Sequence, residues 1–187
     1  MENKKFTTEE YFDEISQKIL EIIESKKADY GLSILVYRPG AITTRIYTKI
    51  LRVQSIQEVG GQKVDEPIED TLQESLGYIL FRIERCFEKK PKSIEVEKLK
   101  SYISKVRDTM IRKNHDYGEA WREMRISDIT DEILSKLVRI RKMEDDIKKD
   151  SSKTEDLSPK IIDAIIDTYN YVVFALVHIK EKVNPML

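Results

Sequence analysis

Asp163 and Asp167 are the residues whose type and spacing most directly suggest chemistry. They lie four apart in "SPKIIDAIIDTYNYVVFALVHIK", a stretch that is apolar almost all round. Such a helix is normally buried. At about 100° per residue, Asp163, Asp167, Asn170, Tyr171 and His178 fall on one side of it. Two carboxylates at that spacing repel, and burial makes their ionisation costlier. The sequence offers two compensations. One is an ion-pair network with Lys136 and Arg139 in the preceding helical segment. The other is a cleft in which Asp163 and Asp167 hold Mg²⁺, a hard cation that takes carboxylate oxygens, while Lys136 and Arg139 meet phosphate. In either case the expectation is that the stripe faces a cleft or another helix.

The elements that must position these groups occur twice. The word "DYG" stands at Asp29–Gly31 and again at Asp116–Gly118, an offset of 87. At the same offset Lys26 meets Lys113, Ile42 meets Ile129, Ile46 meets Ile133, Lys49 meets Lys136, and Arg52 meets Arg139. After an insertion of six residues in "KKDSSKTED" the offset becomes 93. Ile68 then meets Ile161, Asp70 meets Asp163, Glu74 meets Asp167, Tyr78 meets Tyr171, and Phe81 meets Phe174. Order and spacing kept over this length indicate a tandem duplication, 1–90 and 91–187. The acidic residues Glu69, Asp70 and Glu74 are the first copy's counterpart of the aspartate pair.

Each copy predicts three helices, giving an all-α fold of two tandem three-helix repeats packed as a pseudo-two-fold helical bundle. The first helix opens on a capping box, Thr7 with Glu10, and its partner spans about 94–113 with Ser93 as N-cap. The second helices span about 41–58 and 128–149. The third span about 66–89 and 158–182, with Pro67 and Ser158-Pro159 suited to a first turn and a loop at 150–157. The glycine of DYG suits a left-handed helix stop. The "SILVY" run is strand-like, but its counterpart "AWREM" is not.

Composition narrows the class. Of 187 residues, 40% are hydrophobic and 36% charged, with a net charge of −1. The balanced signs argue against a basic nucleic-acid surface, so direct DNA binding is not expected. Six Gly and 5 Pro are too few for an all-β chain. The single cysteine, Cys86, forms no internal disulfide. The polar N-terminus is unlike a secretory signal. Counted as uninterrupted apolar runs, nothing approaches the ~20 residues that span a bilayer. The expectation is a cytoplasmic protein with no membrane partner. His115 and His178 share no ligand spacing, and Trp121 suits either packing or a pocket wall.

"KNHDYGEAWR", "ILSKLVRI" and "DTYNYVVFAL" together resemble the nucleotide modification associated domain 1 family, formerly a domain of unknown function. Its pattern falls on Lys113, Asp116, Tyr117, Gly118 and Trp121, on Lys136 and Arg139, and on Asp163, Asp167, Asn170 and Tyr171. The first copy departs from it, with Ile34 at the tryptophan, Glu74 at the second aspartate and Gly77 at the asparagine. The resemblance implies a nucleotide or modified nucleotide as partner. Asp163, Asp167, Glu69, Asp70 and Glu74 are then the metal candidates. Lys113, Asp116, Tyr117, Trp121, Lys136, Arg139, Asn170 and Tyr171 are the substrate candidates, with Mg²⁺ as cofactor. A more distant similarity is to the all-α nucleoside triphosphate pyrophosphohydrolases of the MazG and dimeric dUTPase type, which leaves a homodimer open. Their E-x-x-E and E-x-x-D signature is not reproduced, since "RIYTKILR" and "EILSKLVR" are basic where that type is acidic. The expectation is one working site, built mainly from the second repeat. The alternative is a non-catalytic helical module whose polar stripe is only structural.

Overall fold

The computed structural model describes residues 6–30 and 33–183, excluding the side chains of 28–30 and 182–183. Six α-helices carry the fold: α1 Thr8–Tyr30, α2 Pro39–Val59, α3 Ile68–Phe87, α4 Val96–Tyr117, α5 Ile126–Lys149 and α6 Thr154–Val183. No strand occurs among the described residues. "SILVY" forms a 3-10 turn, Ile34–Val36, and its counterpart forms another, Ala120–Glu123.

The duplicated apolar positions explain the bundle. Ile42, Ile46, Ile50 and Val53 of α2 are fully buried, as are Ile129, Ile133, Leu137 and Ile140 of α5 at the offset of 87. Leu72, Leu76, Ile79 and Leu80 of α3 are matched by Ile165, Tyr169, Val172 and Val173 of α6. Two helix pairs with the same buried faces are driven to pack alike. Accordingly α2 packs on α3 as α5 packs on α6, while α3 meets α6, α2 meets α5 and α1 meets α4. The pattern is unchanged when the repeats are exchanged, so the bundle is pseudo-two-fold.

The junctions between repeats obey the same exchange. Thr43 Oγ1 donates to Glu144 Oε1 (2.8 Å), and Gln57 Nε2 donates to Thr130 Oγ1 (3.0 Å). Only the first junction adds a buried cation. Arg82, 4% exposed, reaches Glu144 Oε1 through Nη2 (2.8 Å) and Nε (3.2 Å); its counterpart is Ala175.

Helix ends depart from expectation in three places. The Thr7–Glu10 capping box forms, with Thr7 N donating to Glu10 Oε2 (2.8 Å) and Glu10 N to Thr7 Oγ1 (3.2 Å). For α4 the cap is Glu95 rather than Ser93, whose hydroxyl instead reaches Glu95 Oε1 (3.3 Å), because buried Ile94 anchors the chain between them. Pro67 is an N-cap rather than a first-turn residue. The expected loop at 150–157 is mostly helical. Asp150 accepts from Ser152 N (3.1 Å), starting a 3-10 turn at Ser151–Lys153, and α6 follows directly, leaving Pro159 inside it.

By length and composition Ser151–Glu181 is long and apolar enough to cross a membrane, which a count of uninterrupted apolar runs misses. In the fold, 67% of an apolar 18-residue stretch within it is buried in the bundle. Gly118 closes α4 in the left-handed region (φ 59), as the second DYG requires. Gly31 and the Asp29 and Tyr30 side chains lie outside the described residues, so the first DYG does too.

Candidate functional site

The second repeat was expected to hold the working groups. Asp167 on α6 accepts from Lys113 of α4 and from Lys136 Nζ of α5 (3.4 Å). Its side chain is 18% exposed. The Lys136 ammonium also lies 5.1 Å from the centre of the Tyr171 ring, a cation–π distance. Burial, then the charges of Glu132, Asp167 and Tyr117, push the Tyr171 phenol up from its usual pKa. Lys113, Lys136, Asp167 and Tyr171 are thus brought together, and Tyr171 senses Tyr117.

The other expected members stand apart. Asp163 is exposed and has no partner among the described residues; it lines a groove of about 250 Å³ with Arg112, Lys113 and Asp167. Asp163 shares this groove with Asp167, but it is exposed and pairs with neither Lys136 nor Arg139 among the described residues. Arg139 is exposed without a partner among the described residues. Its counterpart Arg52 donates to Thr71 Oγ1 and to the Glu66 carbonyl oxygen (2.7 Å). The Glu66 carboxylate also lies 3.8 Å from Arg52, and the second repeat has Ala164 and Pro159 at those places, which removes the hydroxyl and the carboxylate while keeping a backbone carbonyl. Asp116 is exposed and, among the described residues, bonded only to His115 Nδ1 (3.1 Å), and Tyr117 is 73% exposed.

Trp121 is a packing residue. It is 5% exposed and stacks on Phe174, with ring centres 4.4 Å apart and planes 3° from parallel. His178 meets it edge-on (5.5 Å), donates Nε2–H to its carbonyl oxygen (3.2 Å), and the Arg122 guanidinium covers it at 4.5 Å. Asn170, 4% exposed, is also enclosed. Trp121 Nε1 and Asn170 Oδ1 have no partner among the described residues.

The first repeat reproduces the frame with different contents. Lys49 pairs with Glu74 as Lys136 pairs with Asp167. Arg85 Nη2 donates to the Ile34 carbonyl oxygen (3.1 Å) as His178 does to that of Trp121. Ile34 replaces the indole and Gly77 replaces the asparagine, and a cleft of about 720 Å³ opens between α1, α2 and α3. Tyr37, Tyr78 and Phe81 form its aromatic wall, and Lys26 and Arg45 its cationic edge. The Arg45 guanidinium sits 4.5 Å from the Tyr37 ring centre and 5.9 Å from that of Tyr78, and it donates to the Tyr37 hydroxyl oxygen. Neither Arg45 nor Lys26 has a carboxylate partner among the described residues. The roomier site therefore lies in the repeat with the poorer motif.

The sequence reading does not single out Arg45 or Tyr37, nor Lys27, which also lines the cleft. The available signal was the swap of Arg45 for Glu132 at the offset of 87, a charge reversal between otherwise matched helices.

The acidic candidates do not assemble into a cation cage. Asp167 is occupied by two ammonium groups, and Glu74 by one. Glu69 accepts from Gln73 Nε2 (2.8 Å), while Asp70 and Glu74 line the cleft. Among the described residues no three His, Cys, Asp or Glu side chains are grouped to hold a metal ion. The donor set among the described residues does not fit a protein-held Mg²⁺.

No curated protein and no solved structure matches the chain. A family model described as nucleotide modification associated domain 1 matches it twice, over residues 26–84 and 113–179. Each match runs from the lysine before DYG, Lys26 or Lys113, through the α3 or α6 segment that carries the acidic and aromatic stripe, and together they cover more than half the chain. The chain belongs to the nucleotide modification associated domain 1 family, with two copies of the domain in tandem.

Proposed function

We propose that the protein binds a nucleotide or modified nucleotide in the first-repeat cleft, as a binding component of nucleotide modification. One observation carries this reading: two cations without carboxylate partners among the described residues, Arg45 and Lys26, edge a roomy cleft walled by Tyr37, Tyr78 and Phe81. Desolvated aromatic walls take a base, and guanidinium takes phosphate in charge-assisted pairs. Glu66, Asp70 and Glu74 also line the cleft; Lys49 pairs with Glu74 and Arg52 with Glu66, which leaves Asp70 as the carboxylate to set against Arg45 and Lys26. Asp70 and Gln73 supply hydrogen-bonding groups for a sugar or a base edge.

Binding, rather than pyrophosphate hydrolysis, is the reading favoured, because the carboxylate at the centre of each stripe, Asp167 or Glu74, is engaged by lysine. In the second repeat the Lys113–Asp167–Lys136 chain supports the structural alternative: there the polar stripe ties α4, α5 and α6 together.

The test is thermal unfolding with a panel of deoxynucleoside mono- and triphosphates, with and without a chelator. A ligand at a hundred times its Kd adds about 2.7 kcal/mol, a shift of roughly 5–10 °C for a chain of this size. The expected result is such a shift, insensitive to chelator, and lost in Arg45→Glu. A panel that leaves the melting temperature unchanged defeats the reading.

A further inference from the structure

The two repeats differ at one place in a way that bears on how a ligand lies. In the second, the Trp121 indole is flat on Phe174, 3° from parallel at 4.4 Å. Phe174 is the counterpart of Phe81, which lines the open cleft. Trp121 is the counterpart of Ile34, which lines the same cleft. The backbone at these two residues is held alike, by Arg85 on the Ile34 carbonyl and by His178 on that of Trp121. The buried frame around them is also shared, residue for residue, in α2 and α5 and in α3 and α6. The space over Phe174 that a bicyclic heteroaromatic ring fills in one repeat thus corresponds to open cleft over Phe81 in the other.

We propose that the first-repeat cleft holds the base of its nucleotide flat against Phe81, in the place that the Trp121 indole takes against Phe174. The second repeat is in this sense a self-filled copy of the site. Resting on the nucleotide reading above, the inference adds the pose and its consequences. Offset stacking on Phe81 supplies the sequence-tolerant part of the affinity. Gly77, where the filled copy has buried Asn170, leaves the edge of the base unobstructed. Arg45, where the filled copy has Glu132, supplies the anion-binding group that only the open copy needs. Three exchanges at matched positions, Ile34 for Trp121, Gly77 for Asn170 and Arg45 for Glu132, thereby have one explanation. Each either makes room for the ligand or recognises it.

The experiment uses the full chain and isothermal titration with the deoxynucleoside monophosphates, together with deoxyribose 5-phosphate as the abasic probe. Wild type is expected to bind at least one monophosphate, and deoxyribose 5-phosphate at least tenfold more weakly, as the loss of one stacked base implies. Ile34→Trp should fold, since the second repeat already accommodates that ring, and should lose binding tenfold or more. Phe81→Leu, which keeps apolar bulk and removes the ring, should lose a similar factor. Circular dichroism and a retained melting transition check folding of both variants. No binding of any monophosphate by wild type overturns the nucleotide reading itself. Binding by wild type that is matched by Ile34→Trp, or by the abasic probe, leaves that reading standing and overturns the stacked pose.

Discussion

One repeat is filled and the other is open, although their frames agree. The second repeat closes over its own tryptophan, caps Asp167 with two lysines and leaves a groove of about 250 Å³. The first keeps one lysine on Glu74 and retains a cleft of about 720 Å³. The fuller motif therefore belongs to the more tightly packed half. A duplicated domain has two requirements, a stable bundle and a ligand site, and here they fall on different copies. Large side chains that complete the motif, Trp121 and Asn170, fill the interior; smaller ones at the same places, Ile34 and Gly77, make space.

The sharpest way to break this contrast is to empty the filled side. Trp121→Ala removes a 5% exposed ring that is stacked on Phe174. The expected loss is about 3–5 kcal/mol in chemical denaturation, the usual cost of truncating a buried aromatic. A loss under about 1 kcal/mol would show that the indole is not a plug, and the filled-versus-open distinction would go with it.

The junctions between repeats give the next largest effect. Glu144→Gln leaves Arg82 buried without its counter-charge and is expected to cost about 3 kcal/mol. Gln57→Ala at the matched junction removes one neutral hydrogen bond to Thr130, about 1 kcal/mol. Equal costs would mean that Arg82 adds nothing beyond the shared frame.

The aspartate pair sharpens the contrast at its centre. Asp167→Asn should cost about 1.5–3 kcal/mol, because two lysines lose a largely enclosed carboxylate. Glu74→Gln should cost less than about 1 kcal/mol, since that side chain is 46% exposed and has one lysine. Both variants should leave any melting shift with added Mg²⁺ the same as in wild type. A Mg²⁺ stabilisation lost in Asp167→Asn alone would restore a cation to the second repeat.

Much of the fold was legible because helix packing is written in apolar spacing. The offsets of 87 and 93 give the helix count, the order and the pairing of buried positions such as Ile46 with Ile133. The site was legible in its frame, Lys136 with Asp167 and Lys49 with Glu74, but not in which copy would be open. Completeness of a motif reports which side chains are present; a cavity depends on volume left over after packing. Trp121 and Asn170 add to the first and subtract from the second. Arg139 misled for a related reason: its role in the first repeat depends on Thr71 and Glu66, and their replacement by Ala164 and Pro159 matters only once the helices are placed side by side.

The smallest expected effect separates the repeats by pH. Glu84 on α3 is 1% exposed and stands where α6 has the apolar Val177. Burial pushes its carboxyl above the ordinary value of 4.5; Lys98 of α4 and Arg85 of α3 pull it back, and Glu88 and Glu95 add to the rise. Its Oε1 has no partner among the described residues. The folded state therefore keeps this proton to higher pH than the unfolded chain does. Between 4.5 and the raised folded value the native state binds more protons, so stability falls as pH increases, and the cost persists at neutral pH. Below 4.5 both states are protonated and the cost vanishes. Glu84→Val, which copies the second repeat, should accordingly gain about 1 kcal/mol near pH 7.5 relative to its effect near pH 4. Urea unfolding at the two pH values reads this difference directly. A variant whose effect is the same at both would show that Lys98 and Arg85 compensate the buried carboxylate fully, and that the first repeat carries Glu84 at no cost compared with Val177.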